Sequence, residues 1–224
     1  PKAEDLYGCA LCIREEIYAS DHPMVLATKN NIAQVYASEE RYGEAISLFE
    51  TVIREYCENS TEDSAFLAAV YDNLSTAYRE MERYEDAIDI CTEGLNIRKN
   101  IYGKRSLDYA ISLNNLALIY YEMGILNNAA DIFSEALAIK KETLPEIHGQ
   151  ISIGYFNLGL VYDKLHRDNE ALENYRASME IDNELEAYED VLLTAEYIAE
   201  IYERNDMPED AEAYRTLCSK DDVH

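Results

Sequence analysis

Apolar residues recur at helical spacing through almost the whole chain, and the spacing itself comes in copies. Ile32, Leu74, Leu116 and Leu158 are each followed by a small residue (Ala33, Ser75, Ala117, Gly159) and then, three positions later, by Tyr36, Tyr78, Tyr120 or Tyr162. Nine positions after each Tyr stands Ala45, Ala87, Ala129 or Ala171, and four beyond that Phe49, Cys91, Phe133 or Tyr175. Each copy lies 42 residues after the previous one. A period of that length means stacked helical units rather than one globular core, and the apolar spacing within it is that of amphipathic helices. The pattern predicts a helix over about Lys2 to Tyr18. It then predicts pairs: Pro23–Ser38 with Tyr42–Tyr56, Ser64–Met81 with Tyr84–Ile101, Leu107–Met123 with Leu126–Thr143, Gln150–Leu165 with Asn169–Ile181, and Leu185–Arg204 with Glu209–Ser219. Short loops inside a pair force antiparallel neighbours, so each pair is a helical hairpin.

The domain organisation follows. One array covers 1–219: a second helix of a truncated repeat at 1–20, full repeats at 23–58, 64–101, 107–143 and 150–181, and a divergent last repeat at 185–219, followed by a tail, 220–224, that is expected to fray. Shifting Ala45, Phe49, Val52 and Ile53 back by one period lands on Ala3, Tyr7, Ala10 and Leu11, so the first helix has the register of a second helix. The sequence is therefore expected to be a piece of a longer chain with more repeats upstream. The period breaks once, where Tyr202 follows Tyr162 by 40 residues. At Asp21-His22-Pro23, proline suits a first helical turn, with Asp21 expected to cap it.

Charge narrows the partners. Nineteen Lys and Arg against 45 Asp and Glu give a formal charge of −26, which opposes nucleic-acid phosphate and anionic membranes and steers basic partners. No apolar run reaches the roughly 18 residues of a membrane span, and nothing resembles a signal peptide. Five cysteines, Cys9, Cys12, Cys57, Cys91 and Cys218, are odd in number and are read as core filling in a reducing, intracellular setting such as the cytoplasm. Cys9 and Cys12 form an isolated C-x-x-C with no second pair for zinc and no preceding strand.

The small residue, the Tyr, the invariant Ala and the bulky residue after it together resemble the tetratricopeptide repeat. The 42-residue spacing, with Asp21-His22-Pro23 and Asn114-Asn115-Leu116-Ala117, is similar to the kinesin light chain type of that repeat. The resemblance covers nearly the whole chain and implies an all-α fold, a right-handed superhelical solenoid of antiparallel helix pairs. In such a fold the small residues allow the paired helices to approach, and the Tyr fills space between pairs.

Asn31, Asn73, Asn115 and Asn157 are harder to read as core, because Asn is only a modest helix former. The resemblance implies that this position faces a concave groove, where an amide offers a donor and an acceptor to a peptide backbone. The other reading is a bond to a neighbouring helix that stiffens the stack. Helical projection adds Asn30, Gln34, Asp72, Thr76, Arg79, Asn114, Leu118, Tyr121, Phe156, Leu160 and Lys164 to the wall, polar in the first two repeats and apolar in the third and fourth. The partner that matches is a protein or peptide segment with an apolar anchor near one end and polar or basic residues near the other. A carboxylate clamp for acidic chaperone tails lacks its cations, since Ala27, Ala69, Ile111 and Ile153 stand one turn before the Asn positions.

Catalysis finds little support. His22 and His148 fall in turns, His166 in a loop and His224 at the end, none with an orienting partner, and there is no glycine-rich phosphate loop or zinc pattern. No cofactor is expected. The expected function is a non-enzymatic scaffold that binds a partner segment in an Asn-lined groove. The alternative is a regulatory sensor module that binds a signalling peptide or an effector domain of its own full-length chain.

Overall fold

The computed structural model describes residues 2–60 and 64–218. Every regular element among them is an α-helix: α1 (Lys2–Ile17), α2 (Pro23–Ser38), α3 (Tyr42–Asn59), α4 (Ala65–Glu80), α5 (Tyr84–Tyr102), α6 (Leu107–Glu122), α7 (Leu126–Thr143), α8 (Gly149–Lys164), α9 (Asp168–Glu184), α10 (Tyr188–Arg204) and α11 (Pro208–Cys218). The chain forms two compact units, residues 1–104 and 105–224. In the first, α2 pairs with α3 and α4 with α5, α3 lies against α4, and α1 lies against α2. In the second, α6 pairs with α7, α8 with α9 and α10 with α11, while α7 against α8 and α9 against α10 join the hairpins. The expected tail, 220–224, and Ser219 lie outside the described residues.

One turn recurs throughout. Glu40, Glu82, Gly124, His166, Glu186 and Asp206 have φ between 55° and 77°. The N–H of the next residue returns to a carbonyl five positions back (Arg41 to Tyr36, Arg83 to Tyr78, Ile125 to Tyr120, Arg167 to Tyr162, Ala187 to Asp182, Met207 to Tyr202) at 2.9–3.0 Å. These bonds satisfy carbonyls that a helix end would otherwise leave open, the arrangement in which a left-handed residue closes a helix. At three of these turns the following arginine lies over the repeat tyrosine: Arg41 on Tyr36, Arg83 on Tyr78 and Arg167 on Tyr162, at 4.1, 4.4 and 4.6 Å. The same arginines donate to Glu44, Asp86 and Glu170 in the first turn of the next helix. Ile125 stands at the equivalent place in the third repeat.

The turn also explains the broken period. Between the other hairpins the chain runs through a longer connection, as at Leu144 to His148 between α7 and α8. Between α9 and α10 it uses the tight turn at Leu185, Glu186 and Ala187 instead. Leu185 is thus the cap that ends α9, not the start of α10, and α10 begins at Tyr188. Sequence signals missed this because the tight turn needs no Pro or Gly when Glu accepts positive φ. A second correction concerns α2. Its N-cap is His22, whose Nδ1 accepts from the Met24 N–H at 3.2 Å while its ring stacks on Tyr18 at 4.1 Å. His148 caps α8 in the same way, accepting from Gln150 N–H at 3.1 Å.

The helix pairs cross where small faces large. Ala33, Ala45, Ala87, Ala117, Ala129 and Ala171 are wholly buried, as are Phe49 and Tyr175. Gly159 shows the tolerance: a Cβ there would sit 2.5 Å from the Tyr175 ring. Among the cysteines whose side chains are described, a group that does not include Cys218, only Cys91 follows this logic: it is buried, and burial pushes its thiol up to about 12, so that it stays protonated. Cys9, Cys12 and Cys57 are exposed, contrary to a core-filling role, because their helical positions fall outside the buried stripe. Among the described residues no group of three or more His, Cys, Asp or Glu is placed to hold a metal ion, and no helix is long and apolar enough to cross a membrane.

Two substitutions test these readings by thermal or urea unfolding. Glu82→Gly relieves a left-handed side chain worth about 1–2 kcal/mol, less the entropy glycine loses, and is expected to stabilise by about 0.5–1 kcal/mol. Gly159→Ala drives a methyl into Tyr175 and is expected to cost about 1–3 kcal/mol.

Candidate binding groove

The first helices of the hairpins carry the residues expected to line a groove. In the first unit, α2 and α4 meet through amides: Asn73 Nδ2 donates to Asn30 Oδ1 at 3.3 Å, with Asn30 buried and Asn73 half-buried. Beside this bond lies a cleft of about 320 Å³ lined by Gln34, Asn73, Thr76 and Glu80, with Phe49, Tyr42 and alanines at its base. The structure thus brings Gln34, Asn73 and Thr76 to one cleft. The Thr76 hydroxyl donates to the Asp72 carbonyl at 3.0 Å, as a helical Thr does to the preceding turn, leaving its oxygen as an acceptor. Asn31 is half-buried on α2.

Two expected wall residues hold ion pairs within the fold. Asp72 is buried, and its carboxylate accepts from Arg98 Nη1 on α5, so it ties the α4–α5 hairpin together. Arg79 pairs with Glu80. Glu80, Tyr42 and Phe49 were not among the residues expected to line the groove. Glu80 lies seven residues after Asn73 on the same stripe, so helical projection reaches it. Tyr42 and Phe49 belong to α3, and a projection from first helices has no access to them.

In the second unit the amide bond recurs with shorter geometry. Asn157 Nδ2 donates to Asn114 Oδ1 at 3.0 Å, and Asn157 is buried. Asn115 is half-buried on α6. Leu118 and Tyr121 pack on the cluster of Ala117, Phe133, Leu158 and Val161. Lys164 Nζ sits 3.9 Å above the Tyr121 ring, a geometry in which the ring face attracts the cation. Phe156 lies 5.6 Å from Tyr175 and 5.4 Å from Tyr197, and Leu160 packs on the same group. Burial raises the pKa of Tyr121, Tyr175 and Tyr197, so all three remain neutral phenols. Arg204 ties α10 to the other two helices through Asp163 and Asp168.

Tyr197 was missed, yet it carries a signal. The last repeat is shifted by two residues, as Tyr202 after Tyr162 shows, and the same 40-residue step from Asn157 arrives at Tyr197. The Asn position of this repeat is therefore an aromatic.

Residues 1–57 and 66–142 match one sequence profile described as tetratricopeptide repeat, and residues 154–185 match another of the same description. The chain belongs to the tetratricopeptide repeat family. A comparison with curated protein sequences gives no match. Among solved structures, BtubC (BKLC) from P. vanneervenii is similar at 18% identity and a TM-score of 0.85, covering 100% of this chain and 92% of that one. A Podosopora anserina kinesin light chain-type protein of nearly identical TPR-like repeats aligns at 19% identity and a TM-score of 0.76, over 91% of this chain and 99% of that one. The Rap conjugation gene regulator of the plasmid pLS20, in complex with the Phr* peptide, aligns at 18% identity and a TM-score of 0.68, over 87% of this chain and 52% of the regulator. At these identities the likeness shows that the tetratricopeptide repeat fold is shared.

The buried Asp72–Arg98 pair separates scaffold from groove. Asp72→Ala removes the carboxylate partner of a buried guanidinium and is expected to cost about 3–5 kcal/mol in urea unfolding. Gln34→Ala, at an exposed position in the cleft, is expected to stay within about 0.5 kcal/mol.

Proposed function

We propose that the chain is a non-enzymatic protein-interaction scaffold whose first-helix faces bind a segment of a partner protein. The observation that carries this reading is the cleft between α2 and α4, where Asn73, Gln34 and Thr76 present amide and hydroxyl groups around an apolar base. Asn73 spends one N–H on Asn30, and its carbonyl and second N–H suit a peptide unit. The apolar face of Leu118, Tyr121, Phe156 and Leu160 suits an anchor side chain, and the chain's negative charge favours a basic partner. An odd number of cysteines, five, with Cys9, Cys12, Cys57 and Cys91 free, fits an intracellular, reducing location.

A regulatory module, binding a signalling peptide or an effector domain of its own full-length chain, is the second reading. It draws on the shared fold with a gene regulator solved with a peptide bound.

The test is affinity capture from native extract with wild type beside the triple variant Asn73→Ala, Asn115→Ala, Asn157→Ala, and separately Gln34→Ala. Each lost amide bond is worth about 0.5–1.5 kcal/mol, so the triple variant is expected to weaken a captured partner at least about tenfold while still melting cooperatively. Capture should also fall as salt rises. Undiminished capture by both variants would rule out the groove.

A further inference from the structure

A separate cleft of about 530 Å³ opens in the second unit where the end of α7, the connection to α8 and the last turns of α9 meet. It shares no residue with the groove. Ile147, Ile151 and Ile181 supply its apolar surface, and Ile147 is 47% exposed. Glu146, Glu180 and Glu184 stand around them, all exposed, and none makes an ion pair among the described residues. Glu180 and Glu184 are four apart on α9 and so lie on one side of it.

The cleft already holds one cation. Lys141 Nζ donates to Tyr155 Oη at 2.9 Å and lies 5.4 Å from the centre of that ring. Against three carboxylates, this single ammonium leaves two negative charges unmatched beside an apolar floor. A basic side chain has the complementary form, because its aliphatic stem covers apolar surface while its head stays with the carboxylates. Arginine adds a planar fork that engages a carboxylate through two bonds.

We infer that this cleft is a second docking surface, which takes a lysine or arginine flanked by an aliphatic residue on a partner protein. The aliphatic neighbour rests on Ile147 and Ile181, and the cation reaches Glu180 and Glu184. A groove ligand and a basic segment then bind the same molecule at different places.

The experiment is a titration of protein labelled at its isoleucine methyls with acetyl-Leu-Arg-Leu-Lys-amide. Saturable shifts are expected at Ile147, Ile151 and Ile181. Acetyl-Gly-Arg-Gly-Lys-amide, equal in charge, is expected to bind about tenfold more weakly, the loss from uncovering roughly two small apolar contacts. Glu180→Gln with Glu184→Gln is expected to weaken the Leu peptide about tenfold or more, and Ile147→Ser severalfold. Glu85→Gln with Asp89→Asn, which removes the same charge from α5, should leave it within twofold. The proposal is overturned if the three methyls stay unshifted, if the glycine peptide binds as tightly, or if the α5 pair weakens binding as much as the α9 pair. Groove substitutions such as Asn157→Ala should not alter this titration, so its failure and that of the groove reading are told apart.

Discussion

A single backbone residue with positive φ ends six helices of this chain and turns it back on itself, and the arrangement of side chains around it follows from that reversal. The bond it makes possible, from an amide N–H to a carbonyl five residues earlier, fixes the direction in which the next helix leaves. Only Gly124 takes this conformation without strain; Glu, His and Asp hold it elsewhere at a steric cost. What holds them there is the packing on either side. The arginine after the turn lies across the repeat tyrosine and ties down the next helix's first acid, while small residues one to two turns away let the returning helix approach. Backbone reversal and side-chain crossing are thus mutually dependent, and neither is stable alone in a helix of this length.

This dependence explains what the amino-acid sequence made legible. Ala87, Ala129 and the Tyr positions recur because each crossing has the same geometry, and a geometric constraint repeated four times is visible as a period. Helix pairing was therefore readable, down to the ends of α7. Features that satisfy the same constraint with different residues were not. The α9–α10 turn uses Glu186, with no Pro or Gly to mark it, and His22 caps α2 where Asp21 was expected to, its imidazole stacked on the neighbouring Tyr18 ring.

The lining of the candidate cleft was legible only in part, for a related reason. Projection along a first helix sorts residues by angle but not by reach. Asp72 lies at the angle of the wall, yet a guanidinium on α5 draws its carboxylate inward, and that attraction depends on a residue 26 positions away. Asn73 and Gln34 have no such competitor and remain at the cleft. The residues missed, Tyr42 and Phe49, come from the second helix, whose approach is itself a product of the small-against-large crossing. Tyr197 shows that even a correct rule fails when its ruler changes length by two residues.

The two readings of the repeated Asn, stiffening the stack and contacting a ligand, need not compete. In each unit one Asn donates to an Asn on the preceding first helix, which orders two amides that would otherwise rotate freely. An ordered amide loses less entropy when it takes a further hydrogen bond, so the bond that stiffens the helices also lowers the cost of engaging a peptide unit. On this argument, the helix-to-helix bond prepares the contact, and affinity should depend on the accepting Asn30 and Asn114 as well as on the donors. In the proposed scaffold reading, such ordered amides would recognise backbone in general, and discrimination would fall to what differs from repeat to repeat, such as the aromatic group of Phe156 and Tyr197 in the second unit.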